Sequence, residues 1–392
     1  MKINVCVVFG GRSTEHEVAI ISANQAIHAM KDEFNVIPLY ITKEGVMYTG
    51  EALFDIKNYV NIKTLTEKCQ KVVVYNNGNG VVIEPIKKKL FGKQEQTRID
   101  VFVPVVHGTN VEDGTIQGWI ETLGAPYAGC DVTSSALGMD KVAMKNVLAA
   151  KGINVLPCVD FYSRKWFENR EEIIKSAEEI GYPVIVKPAN LGSSIGISVA
   201  NDRCELENSV DEAVAFAEKI LIERAIKNLR EINCSVLGDF NNAKASVCEE
   251  PISSTGFLSY DDKYKSGAKG KSSGMASTQR IIPADLPEDV TLKIQNMCID
   301  TFKALGCAGV SRIDCMIDGE TNEIFVNEIN TIPGSLSFYL WEKTGLTFAG
   351  LMKELVNIAL RREREKQNLT FSFDTNLLEL HGGTKGAKGI KG

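Results

Sequence analysis

Two short stretches hold most of the chemistry that residue type and spacing can suggest. Ser311-Arg312-Ile313-Asp314-Cys315-Met316 is followed by Ile324-Phe325-Val326-Asn327-Glu328-Ile329-Asn330, and each carries polar groups two positions apart, Arg312 with Asp314 and Glu328 with Asn330. Side chains on a strand point to opposite faces in turn, so Arg312 and Asp314 share one face, as do Glu328 and Asn330. Asp318-Gly319 lies between them in a turn-like segment. Pairing about a turn near residue 320 sets position 314 opposite 326 and gathers all four polar groups on the same face. Two carboxylates, an amide and a guanidinium then occupy one small area. Such an oxygen set suits Mg²⁺, which takes one or two carboxylates and keeps its other positions for water and phosphate. The opposite parity (Ile313, Cys315, Ile317, Ile329) is apolar. The charged face is either a solvated surface or the lining of a site, and spacing does not choose between them.

Three loops elsewhere in the chain could each hold a ligand. Gly10-Gly11-Arg12-Ser13-Thr14-Glu15 joins a first strand to a first helix; glycines permit the tight turn, and a helix N-terminus favours anions. Lys187-Pro188-Ala189-Asn190-Leu191-Gly192-Ser193-Ser194-Ile195-Gly196 follows a strand. Its lysine and backbone N–H groups could hold a polyphosphate, or the segment is an ordinary polar turn. His107-Gly108 closes the apolar run Val101–Val106, at a strand end where ligands gather in open α/β sheets; a structural histidine is the equal alternative. Neither G-x-G-x-x-G nor a Walker P-loop occurs, which counts against a dinucleotide dehydrogenase and a P-loop ATPase.

The elements that must position these groups follow from periodicity. The runs Ile3–Phe9 and Val101–Val106 read as buried parallel strands, and Ile20, Ala23, Ile27 and Met30 mark one helix face. Ser134 or Ser135 caps a helix through Met139, Val142, Ala143 and Val147. Strands follow at Pro183–Lys187, Ile197–Ala200 and Ile220–Arg224. Glu231–Leu237 and Ala243–Glu249 make a hairpin, and helices cover Pro287–Leu305 and Phe348–Arg362. Residues 257–283, with Lys263, Lys265, Lys269, Lys271 and Arg280, lack periodicity. A mobile lid over phosphates is the favoured interpretation, a solvated loop the other. The expected division is an open α/β domain over 1–134, a smaller mixed domain over 135–238, a third over 239–375 carrying the lid, and a glycine- and lysine-rich frayed tail over 376–392. There is no internal repeat.

Composition sets outer limits. A chain of 392 residues implies two or three domains, and 44% hydrophobic with 24% charged residues is ordinary for a soluble globular protein. The net charge of −6 gives no support to nucleic-acid binding. No apolar run reaches the ~18–20 residues a bilayer requires, and Met1-Lys2-Ile3-Asn4 opens a strand rather than a signal peptide. Ten cysteines without a C-x-x-C pair suit a reducing cytoplasm.

Taken in order, five segments resemble a known family. They are Gly10-Gly11-Arg12-Ser13-x-Glu15-x-Glu17, His107-Gly108-x-x-x-Glu112-Asp113-Gly114-x-x-Gln117-Gly118, Lys187-Pro188-x-x-x-Gly192-Ser193-Ser194-x-Gly196, Arg312-x-Asp314 and Asn327-Glu328-Ile329-Asn330-Thr331-x-Pro333-Gly334. The set resembles the D-alanine–D-alanine ligases, ATP-grasp enzymes of peptidoglycan precursor synthesis, from residue 3 to about 360. The resemblance implies an α/β and α+β, three-domain ATP-grasp fold with an N-terminal open α/β domain, a homodimer through that domain, and ATP held between the other two. It also implies roles. Lys141 and Lys187 contact ATP phosphates, Lys263 reaches the γ-phosphate from the lid, and Glu223 and Glu231 hold the adenine and ribose end. Asp314, Glu328 and Asn330 bind two Mg²⁺ (or Mn²⁺) ions. Glu15 and His107 face the first D-alanine, and Glu15, Ser193 and Tyr264 match a hydrogen-bonded triad. Arg312 and the Gly334 backbone match the groups that stabilise the tetrahedral intermediate.

Three features depart from the family pattern. Val111 stands where glycine is usual, so the turn after His107 must avoid positive φ there. The lid is longer and more basic than in many members. The usual serine contact to the second substrate falls at Tyr339, beside Leu340, which opens the acceptor pocket to revision. Tyr264 suggests an amino acid rather than a hydroxy acid as acceptor. The end of the last motif also resembles the D-alanine–D-serine ligases of vancomycin resistance, so D-serine is the alternative acceptor.

Overall fold

The computed structural model describes residues 2–87, 95–191, 196–252 and 280–370. Ser193, Lys263 and Tyr264 lie outside the described residues, as do the tail 376–392 and 257–279 of the basic stretch.

The first sheet has seven strands, β1 (Asn4–Gly10), β2 (Asn35–Ile41), β3 (Met47–Thr49), β4 (Gln70–Asn76), β5 (Val81–Pro85), β6 (Thr97–Arg98) and β7 (Val101–Val105), in the order β6-β5-β4-β3-β2-β1-β7. Only β2, β1 and β7 run parallel. β1 and β7 are the near-continuous apolar runs of the sequence, buried on both faces as parallel strands require. The helix His16–Met30 lies on this sheet and buries Ala19, Ile20, Ala23, Ile27 and Met30, the predicted stripe.

A second sheet joins β8 (Cys158–Tyr162), β9 (Val184–Pro188), β10 (Ser198–Ala200) and β11 (Lys219–Arg224) in the order β10-β9-β11-β8, all antiparallel. A third joins β12 (Arg230–Gly238), β13 (Ala243–Pro251), β14 (Arg280–Ile281), β15 (Gly309–Ile317) and β16 (Ile324–Asn330) in the order β14-β13-β12-β15-β16. One face of this third sheet is core: Ile232, Cys234, Val236, Ile313 and Cys315 pack with Ile294, Cys298 and Phe302 of the helix Glu288–Ala304. The other face carries polar groups along its middle, with Leu237 and Val310 at one end and Met316 and Phe325 at the other in separate apolar clusters.

Four expectations are corrected. The single helix capped by Ser134 or Ser135 is two helices, Val132–Met139 and Lys141–Ala150. Asp140 leaves the helical region at φ −90°, ψ 102°, and its carboxylate accepts from the N–H groups of Val142 and Ala143; Asp131 caps the first of the two. The pattern-free stretch ends before 283, because Arg280 and Ile281 pair with Pro251 and Glu250 as β14. The last helix runs on to Lys366.

The fourth correction concerns the hairpin. Near its turn Cys315 pairs with Val326, but a bulge then leaves Asn327 unpaired, so Asp314 faces Glu328 rather than 326, and Arg312 faces Asn330. Without that extra residue Glu328 would lie opposite Ile313 and point into the apolar face. The bulge therefore assembles the polar row. Among the described residues no helix is long and apolar enough to cross a membrane.

Candidate active site

Cross-strand pairing aligns Glu249, Asn233, Asp314 and Glu328 in one row over β13, β12, β15 and β16, with Arg312 and Asn330 paired in a neighbouring row. The Arg312 guanidinium grips Asp314 with two bonds, Nε to Oδ1 at 2.6 Å and Nη2 to Oδ2 at 2.7 Å. Asn330 Nδ2 donates to the same Oδ2 at 3.1 Å. Although burial opposes its charge, the Asp314 carboxylate holds the Arg312 pKa well above the ordinary value. Glu231 shares this sheet face, opposite Met316.

Lysines rim the row. Lys141 Nζ lies 3.4 Å from Glu328 Oε2 and donates to the Leu191 carbonyl at 2.9 Å. Lys187, at the end of β9, pairs with Glu223 and reaches the bulged Asn327 Oδ1 at 3.2 Å. Lys145, not singled out in the sequence, lies 2.8 Å from the other oxygen of Glu223. Glu223 is fully buried; burial pushes its pKa up, but the Lys187 and Lys145 ammoniums outweigh that and bring it down to about 2. Between Glu223 and Glu231 along the chain lies Ile226, which packs with Leu156, Met316 and Phe325 in a small apolar cluster.

The glycine loops meet the segment after β16. Gly108 has φ +84°, and a Cβ there would lie 2.6 Å from Ser13 Oγ, so the backbone needs glycine to approach the first loop. Glu15 packs beside it. Val111 does avoid positive φ; Asn110 adopts it instead, at 67°. His107 Nδ1–H donates to the Ile332 carbonyl at 2.9 Å, which makes Nε2 the acceptor of the Ser22 hydroxyl at 2.9 Å. Ser22 Oγ in turn accepts from the Ser335 N–H at 2.9 Å. Glu112 takes the Ile332 N–H at 2.9 Å and the Gly108 N–H at 3.0 Å.

Burial pushes His107 down to about 4, with Arg312 adding to the shift, and pushes Glu112 up to about 8 against its hydrogen bonds. The signs fix a pH window. From about 6.5 to about 8 the folded protein keeps a Glu112 proton that the unfolded chain has already lost, so stability falls as pH rises, by at most about 1.4 kcal/mol per unit. Below 6.5 His107 opposes this slope, because only the unfolded chain takes up its proton. Glu112→Gln is expected to remove the decline above pH 6.5, as urea unfolding at pH 6.5 and 8 would show; an unchanged slope would assign it elsewhere.

At the β13 end of the row, the Tyr339 hydroxyl donates to buried Glu249 Oε1 at 2.8 Å. Asn233 donates to the same oxygen at 3.2 Å, and the Arg280 guanidinium lies 4.8 Å above the Tyr339 ring. The side chain of Leu340 is buried in the core. The chain thus brings together Lys141, Lys187, Glu223, Arg312, Asp314, Glu328 and Asn330, with Glu15, His107, Gly334 and Tyr339 around them. Lys145, Asn327, Glu249, Ser22 and the reach of Glu112 to residue 332 are what sequence reading missed.

Family models of the D-ala D-ala ligase N-terminus and C-terminus match residues 4–130 and 147–357. A D-alanine–D-alanine ligase of Thermosipho melanesiensis is 42% identical over 381 residues, covering 96% of this chain and 99% of the relative. The structure of the D-alanine–D-alanine ligase from Coxiella burnetii aligns with TM-score 0.76 at 27% identity, over 97% of this chain and 98% of that one. The VanG D-Ala:D-Ser ligase from Enterococcus faecalis aligns with TM-score 0.76 at 30% identity, over 92% of this chain and 100% of that one. The three-sheet α/β and α+β architecture is the ATP-grasp fold, and the chain belongs to the D-alanine–D-alanine ligase family.

Proposed function

We propose that this protein joins D-alanine to D-alanine in an ATP-dependent reaction through an acyl phosphate, supplying a dipeptide for peptidoglycan precursors. The observation that carries this reading is the pair Asp314 and Glu328 beside the pair Arg312 and Asn330, rimmed by Lys141 and Lys187. D-Serine as acceptor is not favoured, since the D-alanine–D-alanine relative is 42% identical and the D-Ala:D-Ser neighbour 30%.

A carboxylate is a poor electrophile. An oxygen of the first D-alanine's carboxylate attacks the γ-phosphorus of ATP, ADP leaves, and an acyl phosphate forms. The neutral amine of the second D-alanine attacks the acyl carbon, and phosphate departs as the amine proton is lost. Lys141 and Lys187, with Lys263 from the lid, face the phosphates. Glu223 keeps Lys187 and Lys145 in place, and the apolar cluster of Met316, Phe325 and Ile226 suits a flat base beside Glu231. Among the described residues no three His, Cys, Asp or Glu groups form a metal cage. Two carboxylates and an amide instead suit Mg²⁺ or Mn²⁺ whose coordination phosphate oxygens and water complete. Asp314, Glu328 and Asn330 would hold two such ions, which supply charge neutralisation on the transferring phosphoryl group.

Glu15 faces the first substrate with His107, and Ser193 and Tyr264 complete its triad. Arg312 and the Gly334 N–H face the oxyanion. Tyr339 and the Leu340 backbone border the second substrate, and the lid keeps the acyl phosphate from water. The chemistry thus falls among three domains, 1–134, 135–238 and 239–375. Phosphate release that depends on D-alanine and not on L-alanine would support the activity; equal release with either would overturn it.

We infer that the protein works in the cytoplasm, where ATP is available and its ten free thiols persist; recovery in the membrane fraction of lysed cells would contradict this. We also infer a homodimer through the first domain, supported by exposed Ile21, Ile56 and Val60. Sedimentation velocity is expected to show twice the chain mass, and a monomer at all concentrations would refute it.

A further inference from the structure

Ser335, Leu336 and Ser337 form a left-handed turn of three consecutive non-glycine residues, with φ of 51°, 52° and 50°. In this region the Cβ crowds the following carbonyl oxygen, and a conformation of this kind persists only where its surroundings over-determine it. The turn follows Gly334 directly and leads into the short helix Phe338–Lys343 that carries Tyr339.

What holds this turn comes from the far end of the chain. Glu112 Oε1 accepts the Ile332 N–H, and His107 Nδ1–H donates to the carbonyl of the same residue. One peptide segment is thus held from both sides by two buried side chains of one loop. Thr331 Oγ1 adds a third contact to Glu112 at 3.3 Å. Ser22, on the helix His16–Met30, then links His107 Nε2 to the Ser335 N–H, the first residue of the strained turn. The same loop touches the first-substrate side, because Ser13 Oγ–H donates to the His107 carbonyl at 2.6 Å. Asn330, at the near end of the held segment, pairs with Arg312 beside the polar row and donates to Asp314. The clamp therefore spans the interval between the phosphoryl-transfer groups and the oxyanion group.

We propose that Glu112, His107 and Ser22 are positioning residues for the acceptor half-reaction, clamping Ile332 and Ser335 so that Gly334 and the turn after it meet the acyl phosphate in register with the second amine. This rests on the ligase reading above. Phosphoryl transfer needs the first D-alanine, the polar row and the lysines; of the clamp only His107 faces that substrate, while Glu112 and Ser22 act on Ile332, Gly108 and Ser335. Attack by the amine needs the clamped turn. Weakening the clamp thus separates the two halves, and the acyl phosphate partitions to water. That side reaction breaks the acyl C–O bond, adds water's oxygen to the acyl carbon, and returns D-alanine and inorganic phosphate without dipeptide.

The test uses full-length Ser22→Ala and Glu112→Gln proteins with Mg-ATP and D-alanine, measuring phosphate and dipeptide together. Above pH 8, where the wild-type Glu112 is ionised and accepts from both the Ile332 and the Gly108 N–H, Glu112→Gln would place an amide N–H₂ against one of them and lose one bond, so the assay is run there; Ser22→Ala removes the relay with little change of volume. Expected are a KM for ATP within about twofold of wild type, a dipeptide rate lower by ~10–100-fold, and a phosphate-to-dipeptide ratio rising from about one to two or more. Glu112→Asp, which keeps the carboxylate, is expected to recover part of the ratio. A ratio that stays at one in both variants would overturn the proposal, as would a parallel loss of phosphate and dipeptide. If Glu112→Gln fails to fold, Ser22→Ala alone decides. A wild-type protein without D-alanine-dependent phosphate release would instead overturn the ligase reading, and the clamp's role with it.

Discussion

Arg312→Ala is expected to lower dipeptide formation by about 10²–10³-fold while ATP still binds. Arg312 is a largely buried guanidinium held in one orientation by two bonds to Asp314. A donor fixed before the reaction costs no reorganisation when the oxyanion forms, and losing one such donor typically costs ~2.7–4 kcal/mol in the barrier. The substitution leaves Lys141, Lys187 and the two carboxylates in place, so nucleotide binding has no reason to fail. It also removes the cation paired with both oxygens of Asp314, so affinity for Mg²⁺ is not expected to fall. Turnover within tenfold of wild type in a folded variant would remove Arg312 from the chemistry.

Glu223→Ala has the largest expected effect on stability. The carboxylate is fully buried and bridges two lysines whose side chains are only 2% and 6% exposed. Its removal leaves two ammoniums facing each other without a counter-charge. Breaking a buried pair by deleting one partner typically costs ~3–5 kcal/mol, and here two cations are stranded. The pH dependence carries the same sign. With its pKa brought down to about 2 from an ordinary 4.5, Glu223 stabilises the fold above pH 4.5, and that contribution is lost as pH falls toward 2. The variant should lack this acid-sensitive component. Adding Lys145→Met is expected to recover part of the loss. Urea unfolding that shows less than about 1 kcal/mol between wild type and Glu223→Ala would mean the lysines relax into water.

Some of this site was legible in the sequence because its signals are local. Alternation in 311–316 and 324–330 placed Arg312, Asp314, Glu328 and Asn330 on one face, and the register correction did not disturb that parity. Lys187 at a strand end and the glycines after β1 and β7 were equally local. Asn327 was not legible: the polar pair Asn327-Glu328 breaks the period-2 pattern, but only the strand pairing shows which residue is the extra one. Lys145 looked like any lysine on a helix until Glu223, 78 positions on, met it in the fold. Glu112 and Ile332 are separated by 220 residues, and Ser22 and Ser335 by 313; such pairs exist only once the first and third sheets pack together. The turn at 335–337 was hidden for another reason. Three non-glycine residues in the left-handed region run against local preference, and tertiary contacts alone enforce them. The capping acid Asp140 was overlooked because the apolar stripe continues through it.

The acyl phosphate at the centre of this account leaves an isotopic record. D-Alanine labelled with ¹⁸O in its carboxylate, turned over with unlabelled ATP, is predicted to deliver one labelled oxygen to inorganic phosphate for every dipeptide formed. Dipeptide accompanied by wholly unlabelled phosphate would contradict the mechanism, and with it the roles given to Lys141, Lys187 and the Asp314–Glu328 row.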